Sequence, residues 1–204
     1  MKNVLVTLII ALCAIGQTTS AESIFSNYPG PNGGGVYQGE GVVSSKDGWQ
    51  FSVNESGLNA WSFRLVNAAD PSKYWYVDVA APNRAVITKG IYLGTRFPFQ
   101  SPDMAGFSWW GEGWGCNTST TIFDVLDIQY DQTTGVPTEF AANFVQFQET
   151  WGNLNPDPAT SRWVYGQIRF NSDISLAVTD VPEPTTSVFI GSGIIGFLAL
   201  RRKK

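Results

Sequence analysis

Most protein chemistry runs through a few side chains, and the most versatile of them is missing here: the 204 residues include no histidine. His-ligated zinc, Ser-His-Asp triads and imidazole bases are thereby excluded. Of the two cysteines, Cys116 alone lies outside the first twenty residues. With no histidine to take its proton, it reads as a structural or simply unpaired thiol, more often buried than paired with another chain. Among the seventeen acids, Glu112, Asp124, Asp127 and Glu149 stand beside aromatic residues, where a glycosidase pair would be sought. Acids alternating along strands more commonly form a solvated face, so no catalytic residue is assigned and the chain is read as a non-enzyme. The segment Asn153-Leu154-Asn155-Pro156-Asp157 has oxygen-bearing side chains at alternate positions. Pro156 and the missing glycine and distal glutamate of a calcium loop make it a turn instead. No metal and no cofactor is expected.

One constellation could bind rather than react. Trp109-Trp110-Gly111-Glu112-Gly113-Trp114-Gly115 sets three indoles within six positions among glycines. Exposed indoles stack on sugar rings, with a nearby acid accepting hydrogen bonds from hydroxyls, so Trp109, Trp110, Glu112 and Trp114 are the candidate carbohydrate-binding residues. The competing reading is a core strand entering a tight glycine turn, and it carries the greater weight. Exposure of the indoles in one coplanar row separates the two.

The elements that position these residues are strands. Trp49-Gln50-Phe51-Ser52-Val53 and Trp61-Ser62-Phe63-Arg64-Leu65 alternate apolar with polar, the period of a half-buried strand. Further strands read from 74 to 79, 91 to 93, 106 to 110, 120 to 130, 139 to 148 and 162 to 170, with Asp131 to Gly135 as a hairpin loop. No long stretch has helical spacing. An all-β domain over residues 39–178 follows, a β-sandwich or jelly roll. The Pro- and Gly-rich stretch around Pro29-Gly30-Pro31 and Gly33-Gly34-Gly35 makes residues 22–38 a flexible lead-in.

The two ends are of different character. Met1-Lys2-Asn3 precedes an apolar run from Val4 to Gly16, and the small polar residues up to Ala21 complete a signal peptide over residues 1–21, a signal helix cut between Ala21 and Glu22 by signal peptidase. Cys13 follows Leu12, which does not suit lipid attachment. At the other end, residues 179–186 form a linker around Val181-Pro182-Glu183-Pro184, followed over 187–204 by an apolar run and Arg201-Arg202-Lys203-Lys204. The two prolines keep the linker extended. Fourteen apolar residues span ~21 Å as a helix against ~30 Å of hydrocarbon, so a single transmembrane helix here relies on its flanks. The basic end stays cytoplasmic and Pro-Glu-Pro faces outward. Permanent anchoring is the alternative to processing.

Between Glu22 and Pro184, eight basic residues face all seventeen acids, a net charge of −9. Such a domain repels phosphates, and nucleic acid is not a partner. All eight Trp and all seven Tyr lie in this portion.

The tail resembles a PEP-CTERM sorting signal, a tail also classed as an ice-binding protein C-terminal domain, although the flat Thr arrays of ice binders are absent. The resemblance implies recognition and processing by exosortase, in bacteria that make extracellular polysaccharide. It makes the chain an exported surface or extracellular-matrix protein, transiently anchored in the membrane by its C-terminal helix, with extracellular polysaccharide as the candidate partner. The series Val77-Asp78-Val79-Ala80-Ala81-Pro82, Gly90-Ile91-Tyr92, Arg96-Phe97-Pro98-Phe99-Gln100, Gly115-Cys116-Asn117, Phe140 to Phe144 and Gln167 to Ser172 is similar to a family of exported bacterial proteins of unassigned function. That family implies a second cysteine where this chain has Gln148, so a bridge to Cys116 is absent here, and packing such as that of Phe147 must replace it. Trp114 also stands where the family has arginine.

Overall fold

The computed structural model describes residues 21–30, 32–33 and 41–177. Ten strands run in chain order: β1 Ile24–Pro29, β2 Gly41–Ser44, β3 Trp49–Gly57, β4 Ala60–Asn67, β5 Tyr74–Ala80, β6 Gly90–Arg96, β7 Ala105–Gly111, β8 Ser119–Tyr130, β9 Pro137–Gln148 and β10 Trp163–Phe170. Side chains that alternate in the sequence alternate between the faces. Trp61, Phe63 and Leu65 on β4 are buried, as are Trp75, Val77 and Val79 on β5, while Arg64 points to solvent.

All ten strands join one sheet in the order β2-β1-β10-β9-β8-β6-β7-β5-β4-β3. Every pairing is antiparallel except β6 with β7. The all-β expectation holds, and the sheet rolls into a nearly closed barrel. The two separate sheets of a sandwich are replaced by one, because β6 pairs with β8 on one side and β7 on the other. Opposite walls meet inside it. Phe63 of β4 stacks on Phe140 of β9 at 4.4 Å and tilts against Phe170 of β10 at 5.5 Å. Phe107 of β7 meets Phe144 of β9 at 4.7 Å. Each such ring contributes about 1.5–3 kcal/mol by burial.

Curvature has local causes. The register slips between Val125 and Asp127 of β8, and the inward positions change from Phe123 and Val125 to Ile128. A bulge of this kind bends its strand and lets a sheet coil. Gly166 of β10 lies opposite Phe144, whose ring occupies the space where a Cβ would stand. Near the sheet's two margins a groove of about 790 Å3 is lined by Ser23 and Ser45 on one side and Trp49, Phe51 and Asn67 on the other.

The first part of the lead-in read over residues 22–38 is a strand. Residues 24–29 form β1, paired in unbroken register with Val164 to Arg169. Phe25 is buried and meets Trp109 at 6.0 Å, so an apolar anchor outweighs the turn-forming residues that follow it. Glu22, the expected first residue after export, pairs with Lys46, which holds its carboxyl below the usual range. Cutting after Ala21 therefore leaves β1 whole. Of the signal peptide read over residues 1–21, residues 1–20 lie outside the described residues, as do the linker with its sorting residues over 179–186 and the transmembrane helix with its basic end over 187–204.

Candidate functional site

The outward face of β4, β5 and β7 carries the polar and aromatic residues that the barrel does not use for its core. Register brings them into rungs. Arg64 lies opposite Tyr76, and Tyr76 opposite Trp110; the next rung is Ser62, Asp78 and Ser108. Tyr76 and Trp110 stack in parallel, with centroids 4.3 Å apart and planes 8° from coincident. The Arg64 guanidinium sits 5.9 Å from the Tyr76 ring centre, and Tyr74 meets Tyr76 edge-on at 5.8 Å.

Asp78 fixes the indole. Trp110 Nε1 donates to Asp78 Oδ2 at 2.6 Å, which locks the ring while leaving 39% of the residue exposed. Burial pushes the Asp78 carboxyl up, against hydrogen bonds from Ser62 and Trp110 that hold it down. An acid whose folded pKa is raised binds more protons folded than unfolded between the two values, so stability falls as pH rises through that window. Asp78→Asn keeps an acceptor for the indole and cannot ionise. Its melting temperature, followed from about pH 4 to about pH 7, is expected to lack the decline that Asp78 gives the parent chain.

The three tryptophans of the glycine-rich segment part company. Trp109 is buried and stacks on Trp75 at 5.1 Å, so it belongs to the core and leaves the carbohydrate-binding set. Trp110 is on the outer face. Gly111 and Trp114 exchange backbone hydrogen bonds around a two-residue turn in which Glu112 and Gly113 both have positive φ. Direct partners share a face, so Trp114 projects on the Gly111 side, opposite Trp110, although it is 55% exposed. Glu112 is the first of the two central residues of that turn. No coplanar row of three forms. Tyr74, Tyr76 and Arg64 stand beside Trp110 on the outer face instead, and their signal in the sequence is alternation with Trp75, Val77 and Leu65.

The other candidates are placed apart. Asp127 pairs with Lys89 at 2.8 Å, which lowers its pKa. Glu149 accepts from the Asn117 backbone at 2.8 Å. Asp124 lies in the middle of β8 between Ile91 and Asn143, where partial burial raises its pKa. The Cys116 thiol is free and buried, its pKa raised by desolvation, and Gln146 Nε2 donates to it at 3.4 Å. Asn153 and Asp157 accept from the backbones of Asn155 and Ala159, as turn residues do. Phe147 packs with Trp163 and Tyr165 on the outer face.

One polar cluster has no local signal in the sequence. Arg169 on β10 is 1% exposed, without a carboxylate among its hydrogen-bond acceptors. It donates to the carbonyls of Ala142, Ile168, Ile174 and Ser175 and to the side chains of Asn143 and Gln167. Gln167 in turn accepts from the Ala177 N–H at 2.8 Å and donates to its carbonyl at 3.4 Å. The strap formed by residues 172–177 is thus bound to the outside of the barrel immediately before the tail begins.

Residues 180–203 match the PEP-CTERM protein-sorting motif. No curated protein and no solved structure matches the chain, so the resemblance read in the segments from Val77 to Ser172 finds no support there. The matched segment contains Val181, Pro182, Glu183 and Pro184 and the basic residues up to Lys203. Behind its all-β domain the chain therefore carries a PEP-CTERM protein-sorting motif, the signal of an exported, membrane-associated cell-envelope protein that exosortase processes.

Proposed function

We propose that the barrel is a non-catalytic component of the cell surface or extracellular matrix, delivered there by its sorting tail. The sorting motif at 180–203 carries this reading, because a sorting motif directs a chain to its place of delivery. The chemistry of the barrel agrees: its histidine-free sequence supplies no imidazole, and Asp127 and Glu149 are engaged by Lys89 and by the Asn117 backbone. Biotinylation of intact cells tests it. The barrel is expected among the labelled surface or matrix proteins, and a chain found only inside the cell would refute the reading.

A second reading, that the barrel binds extracellular polysaccharide, is favoured by one observation. Trp110 is held half out of the surface by Tyr76 and Asp78, with Arg64, Ser62 and Tyr74 around it. An indole fixed in advance loses little freedom on stacking against a sugar ring, and the neighbouring hydroxyls and guanidinium suit sugar hydroxyls. The net charge of −9 between Glu22 and Pro184 points to a neutral rather than an acidic polymer.

A further inference from the structure

We infer that Arg169 and Gln167 are positioning residues for tail removal: by clamping residues 174–177 to the barrel, they set the length of free chain available to exosortase. Arg169 holds the carbonyls of Ile174 and Ser175, and Gln167 binds the N–H and the carbonyl of Ala177. Both side chains are buried, Gln167 at 0% and Arg169 at 1% exposed, so the hold is part of the folded barrel rather than a surface contact.

The consequence is one of reach. Five chain steps separate Ala177 from Pro182, and at full extension they cover ~17 Å. A peptidase that acts at Pro-Glu-Pro must therefore reach it within that distance of the barrel, while the apolar segment from Ser187 begins ten steps, at most ~34 Å, beyond Ala177. The strap withholds six residues, 172–177, that would extend the free chain by ~20 Å if released. The clamp therefore makes Ala177 the last held residue, five covalent steps before Pro182.

Deleting Val178 and Thr179, which precede the matched segment, shortens the reach to ~10 Å. Pulse-chase of the full chain in cells that carry exosortase reads the effect as the rate at which the tail is lost. The deletion is expected to slow it at least about fivefold, because the clamp leaves no slack to replace the lost residues. Arg169→Lys with Ala177→Pro, which weakens the guanidinium bridge and removes the Ala177 donor, is expected to restore the rate in the deletion background. Six Gly/Ser residues inserted after Ala177 in that background are expected to do the same with the clamp intact, which keeps the test valid should the double substitution unfold the barrel. An undiminished rate after the deletion overturns the inference, since it shows that the strap gives way freely. So does a slowing that the insertion leaves uncorrected, since Val178 and Thr179 would then be read directly by the peptidase.

Discussion

Replacing Arg169 with leucine is expected to lower the unfolding free energy by about 2–4 kcal/mol, a large share of the roughly 5–15 kcal/mol that holds a domain of this kind together. The cost comes from acceptors, not from a broken ion pair. The guanidinium of Arg169 satisfies the carbonyls of Ala142, Ile168, Ile174 and Ser175 and the side-chain oxygens of Asn143 and Gln167. Leucine fills part of the volume and donates nothing. Each carbonyl that stays buried without a donor costs about 1–3 kcal/mol, and the chain can avoid that only by lifting residues 172–177 into water. Burial also lowers the pKa of Arg169 from its ordinary value, yet an arginine remains charged throughout the working range. Urea unfolding of the full chain in mild detergent, followed by tryptophan fluorescence, measures the loss. Limited proteolysis should show the strap cut before the barrel.

Gly111→Ala is expected to cost about 3 kcal/mol, for a steric reason. A Cβ at Gly111 would stand 2.1 Å from the carbonyl oxygen of Tyr74 and 2.8 Å from the Cα of Trp75. Those are backbone atoms of β5, the strand paired with β7, and they cannot swing aside as a side chain would. Relief requires β5 and β7 to separate where Trp75 and Trp109 stack inside the barrel and Tyr76 and Trp110 stack outside it. Gly113, two residues on, provides a contrast. It has φ +79 with nothing within 4 Å of an added Cβ, so alanine there meets backbone strain alone and is expected to cost about 1 kcal/mol. Gly41 has neither a clash nor a positive φ, and its alanine variant should be close to neutral. The order Gly111, Gly113, Gly41, measured in the same urea titrations, separates crowding from strain.

How much of this is legible in the sequence depends on the range of the interaction. Strands β3 to β10 can be read locally, in whole or in part, because runs such as Trp61-Ser62-Phe63-Arg64-Leu65 report directly which residues face the core. The closure into one sheet cannot be. It rests on β6 lying between β7 and β8, and no period along the chain encodes a strand's neighbours. β1 is missed for a related reason: Ile24 to Pro29 is followed by proline and glycine, and its stability comes from Val164 to Arg169 at the far end of the sequence. The site divides in the same way. Trp110 is visible as one of a glycine-flanked cluster, but Trp109 beside it is core, and only the pleat tells adjacent indoles apart. Tyr76 and Arg64 join Trp110 through register across three strands, a relation that spacing along one strand does not reveal. Arg169 lies between Ile168 and Phe170 in what reads as an ordinary strand; its partners, Ile174 and Ser175, reach it by folding back over the sheet.

The measurement that most directly tests the carbohydrate-binding claim is retention of the full chain on a panel of neutral polysaccharides, compared with Trp110→Ala, Tyr76→Ala and Trp114→Ala. A lost stacking contact of about 1.4 kcal/mol corresponds to about tenfold in affinity. Trp110→Ala and Tyr76→Ala are each expected to weaken binding by about that factor, while Trp114→Ala, altered on the opposite side of the hairpin, is expected to bind as the parent does. A parent chain that binds none of the polymers, or binding that survives both outer-face substitutions, would contradict a polysaccharide site at Trp110.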